Sequence, residues 1–405
     1  MSDHKQARLL AAAFLALAIA GPADRAFAQQ PQASPPQQTL NDVLSFLLTN
    51  QSVQTGDLVK DLAAAAATRD TISRALLVDL ATTPLGTSSG GFTYQFNPSL
   101  GTLERRSSTF GPFFVERALG AGSNRLSLGF GFQYSRFDTL DGNNLRNGQF
   151  VTTANQFRDE PAPFDVDSLT LQVQSSSAVV SARYGITGRL DVGAVVPFVS
   201  LQLDGQRVNT YRGTSVVQAV ASATRMGFGD VGVQAKYQAL GDAGSGFAIA
   251  ADIRLPTGRS EDLLGAGKAS IGTLVIGSFE SGPLAVHVNG GYSMGGISDE
   301  VKFAAAAAIA ATPHLTVDGE LLGRRLLDVG RITQVAFANP ALAGVDTYRL
   351  LPSGGATMPI LGAAGVKWNL ADTWVLDAHV LFPIVTDGLT AQITPVLALE
   401  RSFGK

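Results

Sequence analysis

Two neighbouring runs between Arg225 and Gly296 alternate strictly between apolar and polar residues, and a period of two restricts this stretch to β-structure. Val231, Val233, Ala235, Tyr237 and Ala239 share one side of the first run, against Asp230, Gly232, Gln234, Lys236 and Gln238. In the second, Phe247, Ile249, Ala251, Ile253 and Leu255 oppose Ala248, Ala250, Asp252 and Arg254, and a Gly/Asp/Ser turn joins the runs into a hairpin. Each arm has roughly the 9 to 11 residues with which a tilted strand crosses a bilayer, the dimensions of one repeat of a transmembrane barrel.

The start of the chain narrows the choice. His4, Lys5 and Arg8 precede an apolar run over residues 9–20, followed by Gly21, Pro22 and Ala26-Phe27-Ala28. A charged start, an apolar core too short to span a membrane as a helix and a small-x-small end make residues 1–28 a secretory signal peptide with cleavage after Ala28. The chain holds no cysteine, so after export it relies on a large core or on a membrane rather than on disulfides. Charged residues make up 16% and hydrophobic ones 45%, and mean hydropathy is +0.17. No later stretch offers the roughly 18 consecutive apolar residues of a spanning helix. High hydropathy without a helical span is what a barrel produces, because lipid-facing and lumen-facing residues interleave, although a large soluble β-sandwich shares part of this profile. The net charge of -3 leaves no basic footprint and argues against nucleic acid as a partner.

Residues 29–38 are rich in Pro and Gln, the composition of an unstructured linker. Between Thr39 and Leu80 the apolar residues fall at helical spacing: Leu44, Leu47 and Leu48, then Leu58 and Leu62, then Ile72, Leu76 and Leu77. Thr39 and Asn41 are placed to cap the start, Gly56 to interrupt and Pro84 to close. Residues 39–84 are thus expected to form two short amphipathic helices that pack in the periplasm, plug a barrel or engage a periplasmic partner. Residues 85–125 form a transition segment with β-like pieces at 91–96 and 113–118.

From Leu126 the alternation is sustained over residues 126–134, 169–184, 190–198, the two hairpin arms, 271–279, 284–292, 301–309, 317–321, 366–370, 374–382 and 393–403. The expected fold is all-β, a transmembrane antiparallel β-barrel of about 12 strands over residues 126–405, preceded by a short α-helical N-terminal segment. A change of phase near Ser175, Ser176 and Ser177 predicts a bulge. The alanines within 303–311 favour a helix by propensity, but Pro313 and the flanking strands predict a strand. Connections alternate in length. Short ones fall at 185–188, 241–246, 281–283, 312–314 and 371–373, and longer ones at 138–167, 204–227, 257–269 and 325–360, with modest links at 295–299 and 383–390 on the longer side. Short periplasmic turns and longer outer loops are the habit of outer-membrane barrels, whereas a soluble sandwich has no reason to sort its connections this way.

The last strand places Leu397, Leu399 and Phe403 in one phase and resembles the C-terminal signal read by the barrel assembly machinery, with Gly404 and Lys405 following the aromatic. Three further segments carry a family resemblance: Arg183-Tyr-Gly-Ile-Thr-Gly-Arg-Leu-Asp-Val-Gly-Ala-Val-Val-Pro-Phe198, Gly227-Phe-Gly-Asp-Val-Gly-Val-Gln-Ala-Lys-Tyr237, and Leu255-Pro-Thr-Gly258 through Leu264-Gly-Ala-Gly-Lys-Ala269. The chain resembles, from about Leu126 onward, the outer-membrane barrel family named after the meta pathway of phenol degradation. The resemblance implies location in the outer membrane, contact with its lipid, and passage of small aromatic or hydrophobic solutes.

Motifs for other chemistry do not hold together. Gly227-x-Gly229-x-x-Gly232 has a dinucleotide-binding spelling, but its glycines enter an alternating strand instead of opening a helix, and Gly265-Ala-Gly-Lys-Ala269 lacks the earlier glycine and the hydroxyl of a phosphate loop. No cofactor is expected. His287 and His379 lie in polar phases, His314 in a short turn, and no spacing specifies a nucleophile, a catalytic acid pair or a metal cluster. Ser293 shares the phase of His287, but six residues of strand set them about 20 Å apart.

The polar phase instead collects charge of both signs. Arg189, Asp191, Asp230, Lys236, Asp252, Arg254, His287, Asp318, Glu320, Arg324, Lys367, Asp377 and His379 are the candidate lumen-lining residues, together with Lys302 and Glu400. They either pair and fill a narrow barrel or line a polar conduit. Tyr237, Phe247, Phe279, Tyr292, Trp368, Trp374, Phe382 and Phe403 fall in the opposite phase near strand ends, as interfacial anchors do. Three functions remain: a channel for small solutes, a non-transporting or anchoring barrel, and an outer-membrane enzyme, the last disfavoured by the absence of a catalytic constellation.

Overall fold

The computed structural model describes residues 38–48, 58–86, 91, 94–97, 102–242, 244–371 and 373–404. The signal peptide, the linker through residue 37 and the break at Gly56 lie outside them. Twelve antiparallel strands close into a barrel: β1 (Leu126–Leu140), β2 (Asp165–Gly185), β3 (Leu190–Tyr211), β4 (Val231–Asp242), β5 (Ser245–Leu255), β6 (Ser270–Ser281), β7 (Leu284–Gly295), β8 (Glu300–Thr312), β9 (Leu315–Leu326), β10 (Ile360–Ala371), β11 (Trp374–Val385) and β12 (Thr394–Phe403). Each pairs with its sequence neighbour, and β12 zips to β1 from Phe403↔Leu126 to Val396↔Gln133, leaving the membrane wall without an edge. The alanines of β8 are strand, paired on both sides with β7 and β9. Cross-strand pairing overrides their helical propensity.

Alternation sorts the two faces. On β11, Val375, Asp377, His379 and Leu381 point inward and are buried, while Val380 and Phe382 are exposed on the outside. The outward aromatics sit at two heights. Tyr237, Phe247, Phe279 and Trp368 are exposed near the short turns, and Tyr292 and Phe382 near the opposite ends. Trp374 and Phe382 lie eight residues apart on one strand, which at about 3.3 Å per residue and a barrel tilt spans roughly the height of an apolar membrane band. Arg401 stacks over Trp374 and Phe403 at 5.0 Å and 4.6 Å, a cation held at an aromatic girdle.

Above the membrane band the structure departs from expectation. The segment 204–227, expected as a loop, is a hairpin in which β3 continues to Tyr211, turns through Arg212 and Gly213 at positive φ, and returns as a strand Thr214–Phe228. Within 138–167 and 325–360 lie the strands Phe150–Phe157, Ile332–Ala338 and Val345–Pro352. They build a one-sided outer sheet in the order Ile332–Ala338, Val345–Pro352, Phe150–Phe157, β2, β3, Thr214–Phe228. The expected bulge near Ser176 is not there, because β2 pairs with β1 and β3 in unbroken register through it. What changes at those serines is the surroundings. Leu169, Leu171 and Val173 face inward onto a hydrophobic core above them, and below them Ala178, Val180 and Tyr184 face lipid.

That core is made by the N-terminal segment, which lies inside the ring. Helix α1 (Leu40–Leu48) opens with Thr39 Oγ1 accepting from Asp42 N at 3.1 Å while Thr39 N donates to Asp42 Oδ2 at 2.9 Å, and this bond holds the Asp42 carboxyl below its ordinary range. Leu40, Val43, Leu44, Leu47 and Leu48 are fully buried against Leu201, Leu203 and Ala219 of the outer hairpin. Gly205 is bare where Leu47 crosses it: a Cβ there would stand 2.2 Å from Leu47 Cδ1. Helix α2 (Leu58–Leu80) follows, with Ile72 and Leu76 in the same core. The piece at 113–118 is not a strand. It belongs to an irregular strap, residues 107–121, whose amide groups are taken by side chains of the barrel wall instead of by a neighbouring strand.

Candidate functional site

The strap is fastened residue by residue to the inward phase of the barrel. Glu320 on β9 accepts from Phe113 N at 2.8 Å, Phe114 N at 2.9 Å and Val115 N at 2.7 Å. Asn289 accepts from Glu116 N and donates to Glu116 O, Ser278 accepts from Ala118 N, and Asp191 accepts from Ala121 N. Lys236 Nζ donates to the carbonyls of Arg117 and Leu119 at 2.8 Å and 3.0 Å and lies 3.5 Å from Glu116 Oε2. Glu116 is completed by Arg183 at 2.9 Å, all three side chains being buried. Phe113 stacks on His379 at 5.0 Å with Lys367 Nζ 5.6 Å from its ring. Burying these charges is tolerable only because each is paired or hydrogen-bonded.

Most of the expected lumen residues therefore hold a filling. Asp191, Lys236, Glu320, Lys367 and His379 touch the strap, Asp377 pairs with Lys367 at 3.2 Å, and Asp318 accepts from His379 Nε2 at 3.1 Å. His287 meets Ser278 Oγ at 2.8 Å through Nδ1, across β6 and β7 instead of along one strand. Arg324 binds Asp79 and Thr82 at the end of α2, where burial pushes the Asp79 carboxyl up against the pull of that guanidinium. Arg254 donates to Ala81 O at 3.0 Å, and Asp252 is half-buried two residues before it. Two placements differ. Arg189 is exposed in the turn between β2 and β3, and Asp230 sits just before β4, where its carboxylate accepts from Gly258 N and Ala266 N and pins the 256–267 loop. Sequence reasoning missed Arg183, Ser278, Asn289 and Glu116. Arg183, Ser278 and Asn289 were marked only by their inward phase, and nothing local marked Glu116.

Two polar clusters bear on catalysis and metal binding. Ser278 Oγ takes the strap amide, and among the described residues no carboxylate bonds His287 Nε2 to complete a triad with the pair. Asp318, Glu320 and His379 lie within 4.8 Å of one another, but both Glu320 oxygens accept strap amides and both Asp318 oxygens face His379, so a metal would have to displace the strap.

Between the strap below and the end of α2 above remains a chamber of about 290 Å³. Thr82, Pro84 and Phe114 cover it, Phe137, Leu274, Leu322, Leu381 and Leu389 wall it, and Arg254, Lys302, Arg324, Glu300 and Asp79 line it. The strap leaves the lumen at Gly122, whose carbonyl oxygen would stand 1.9 Å from a Cβ on Gly185. Gly185→Ala is expected to push the strap exit off the wall and cost about 1–3 kcal/mol or more, read as a lower temperature for loss of heat-modifiable gel mobility. Unchanged mobility would mean that the exit is loose.

Residues 147–318 match the model of the family described as "Putative MetA-pathway of phenol degradation", in agreement with the resemblance read from the sequence. No curated protein matches the chain. Among solved structures it is similar to a COG4313 outer membrane channel from Pseudomonas putida F1 (TM-score 0.46, 13% identity, covering 71% of this chain and 98% of that one). It is also similar to the toluene transporter TbuX of Ralstonia pickettii (TM-score 0.27, 12% identity, covering 70% and 90%). The closed ring, the apolar belt and the two aromatic girdles are those of a barrel of the bacterial outer membrane.

Proposed function

We propose that this barrel, which carries the phenol-degradation MetA-pathway family sequence over residues 147–318, is a channel for small aromatic or hydrophobic solutes kept shut by its own N-terminal segment. The observation that carries the reading is the chamber between α2 and the strap: a structural barrel needs no solute-sized space lined by both apolar and charged groups at mid-lumen. Solute passage then requires one or both covers to move, while the wall stays fixed. The anchoring alternative is disfavoured because the apolar face of α1 is spent inside the barrel and is not offered to a periplasmic partner. Hydrolytic chemistry is disfavoured because no described residue supplies a third member beside Ser278 and His287.

Liposome swelling with an uncharged pentose tests the reading. Full-length protein is expected to give slow uptake, and protein lacking residues 38–86 to give uptake at least severalfold faster, with both variants checked for heat-modifiable mobility. Folded protein that admits no solute in either form would end the channel reading.

A further inference from the structure

The cations and anions around the chamber do not cancel. Glu300 is taken by Lys302 at 3.0 Å and stands 3.9 Å from Arg324, and Arg324 is also held by Asp79. Glu116, at the lower edge, is matched by Arg183 and Lys236. Arg254 has no carboxylate within ion-pair distance among the described residues. Its Nη1 donates to the carbonyl of Ala81, and the nearby Asp230 spends its oxygens on Gly258 N and Ala266 N. A guanidinium has five N–H donors in a planar fork, so most of those of Arg254 remain for something else. Facing the same space are the apolar side chains of Phe137, Leu274, Leu322 and Leu381.

A half-buried guanidinium with no carboxylate in ion-pair contact among the described residues, sharing Glu300 at longer range with Lys302 and Arg324, stands beside an apolar wall in a space of about 290 Å³ and suits a ligand with the reverse design. Resting on the channel reading above, we infer that the chamber is a binding site for a small organic anion, a carboxylate on a compact single-ring body, with Arg254 as the group that recognises the carboxylate. The carboxylate takes the fork in bidentate fashion, and the ring replaces water against the leucines and phenylalanine. Binding the anion would also draw Arg254 off Ala81, the first residue after α2, so that occupancy and release of the upper cover share one side chain.

Equilibrium binding to the purified full-length protein, by titration calorimetry with benzoate, benzyl alcohol and acetate, tests this. Benzoate is expected to bind at least tenfold more tightly than either the neutral alcohol or the ring-free anion. Arg254→Gln should weaken benzoate at least tenfold and leave benzyl alcohol unchanged, and Arg254→Lys should restore only part of the difference, since an ammonium lacks the fork. Benzoate no tighter than benzyl alcohol, or indifferent to Arg254→Gln in protein of normal heat-modifiable mobility, overturns the assignment. Pentose uptake by protein lacking residues 38–86, which has no Ala81 for Arg254 to hold, is read without any change at Arg254, so the channel reading survives or falls separately.

Discussion

Glu320→Ala is expected to convert a nearly silent barrel into a conducting one. One carboxylate holds three consecutive amide groups of the strap, from Phe113, Phe114 and Val115. Hydrogen bonds to a charged acceptor contribute about 1.5–3 kcal/mol each, so losing the set shifts the strap toward release by several kcal/mol, and each 1.4 kcal/mol is about tenfold in population. Planar-bilayer recordings should show at least a tenfold rise in time-averaged conductance over the unaltered protein. Release should also expose the bond after Arg117, whose side chain is only 3% exposed, to trypsin. Glu320→Gln keeps a single acceptor oxygen and should fall between the two. Silent recordings together with an uncut strap in folded Glu320→Ala protein would show that the other fastenings suffice without Glu320.

Lys236→Met is expected to destabilise the barrel more than any surface change. The side chain is 1% exposed and serves two strap carbonyls as well as Glu116. Methionine fits the stem but removes the donor that serves both carbonyls and Glu116, and breaking a buried charged network from one side costs about 3–5 kcal/mol. Denaturant titration of protein folded into lipid vesicles should register this loss. Adding Glu116→Gln should recover part of it, because the two groups act as a unit. Strict additivity of the two losses would contradict the coupling.

The wall was readable from the sequence because one rule governs it: wherever a strand crosses the bilayer, lipid on one side and a polar lumen on the other impose alternation, as on β4 and β5. The rule lapses outside that layer. Along Thr214–Phe228 the inward alanines, Ala219, Ala221 and Ala223, meet the apolar core around α1 instead of a polar lumen, so the alternation fades and the stretch reads as a loop. At Ser175 to Ser177 the same change of solvent imitates a bulge. The strap has no period at all, and its partners are remote: 205 residues separate Val115 from Glu320. Only the apolar cluster around Phe110, Phe113, Phe114 and Val115, with no regular spacing, hinted that these residues are buried.

The placement of the strap and helices ahead of β1 also constrains how the molecule is made. Residues 38–48, 58–86 and 107–121 precede the first strand of the ring and lie within it, and the ring is completed only when β12 meets β1 between Leu126↔Phe403 and Gln133↔Val396. Once that seam has formed, the segment leaves only through the narrow lumen it fills. The last event in building the wall is therefore also the event that commits the filling. A ring closed with that segment left outside would hold an empty lumen, whereas one closed around its own leading segment holds a filled one.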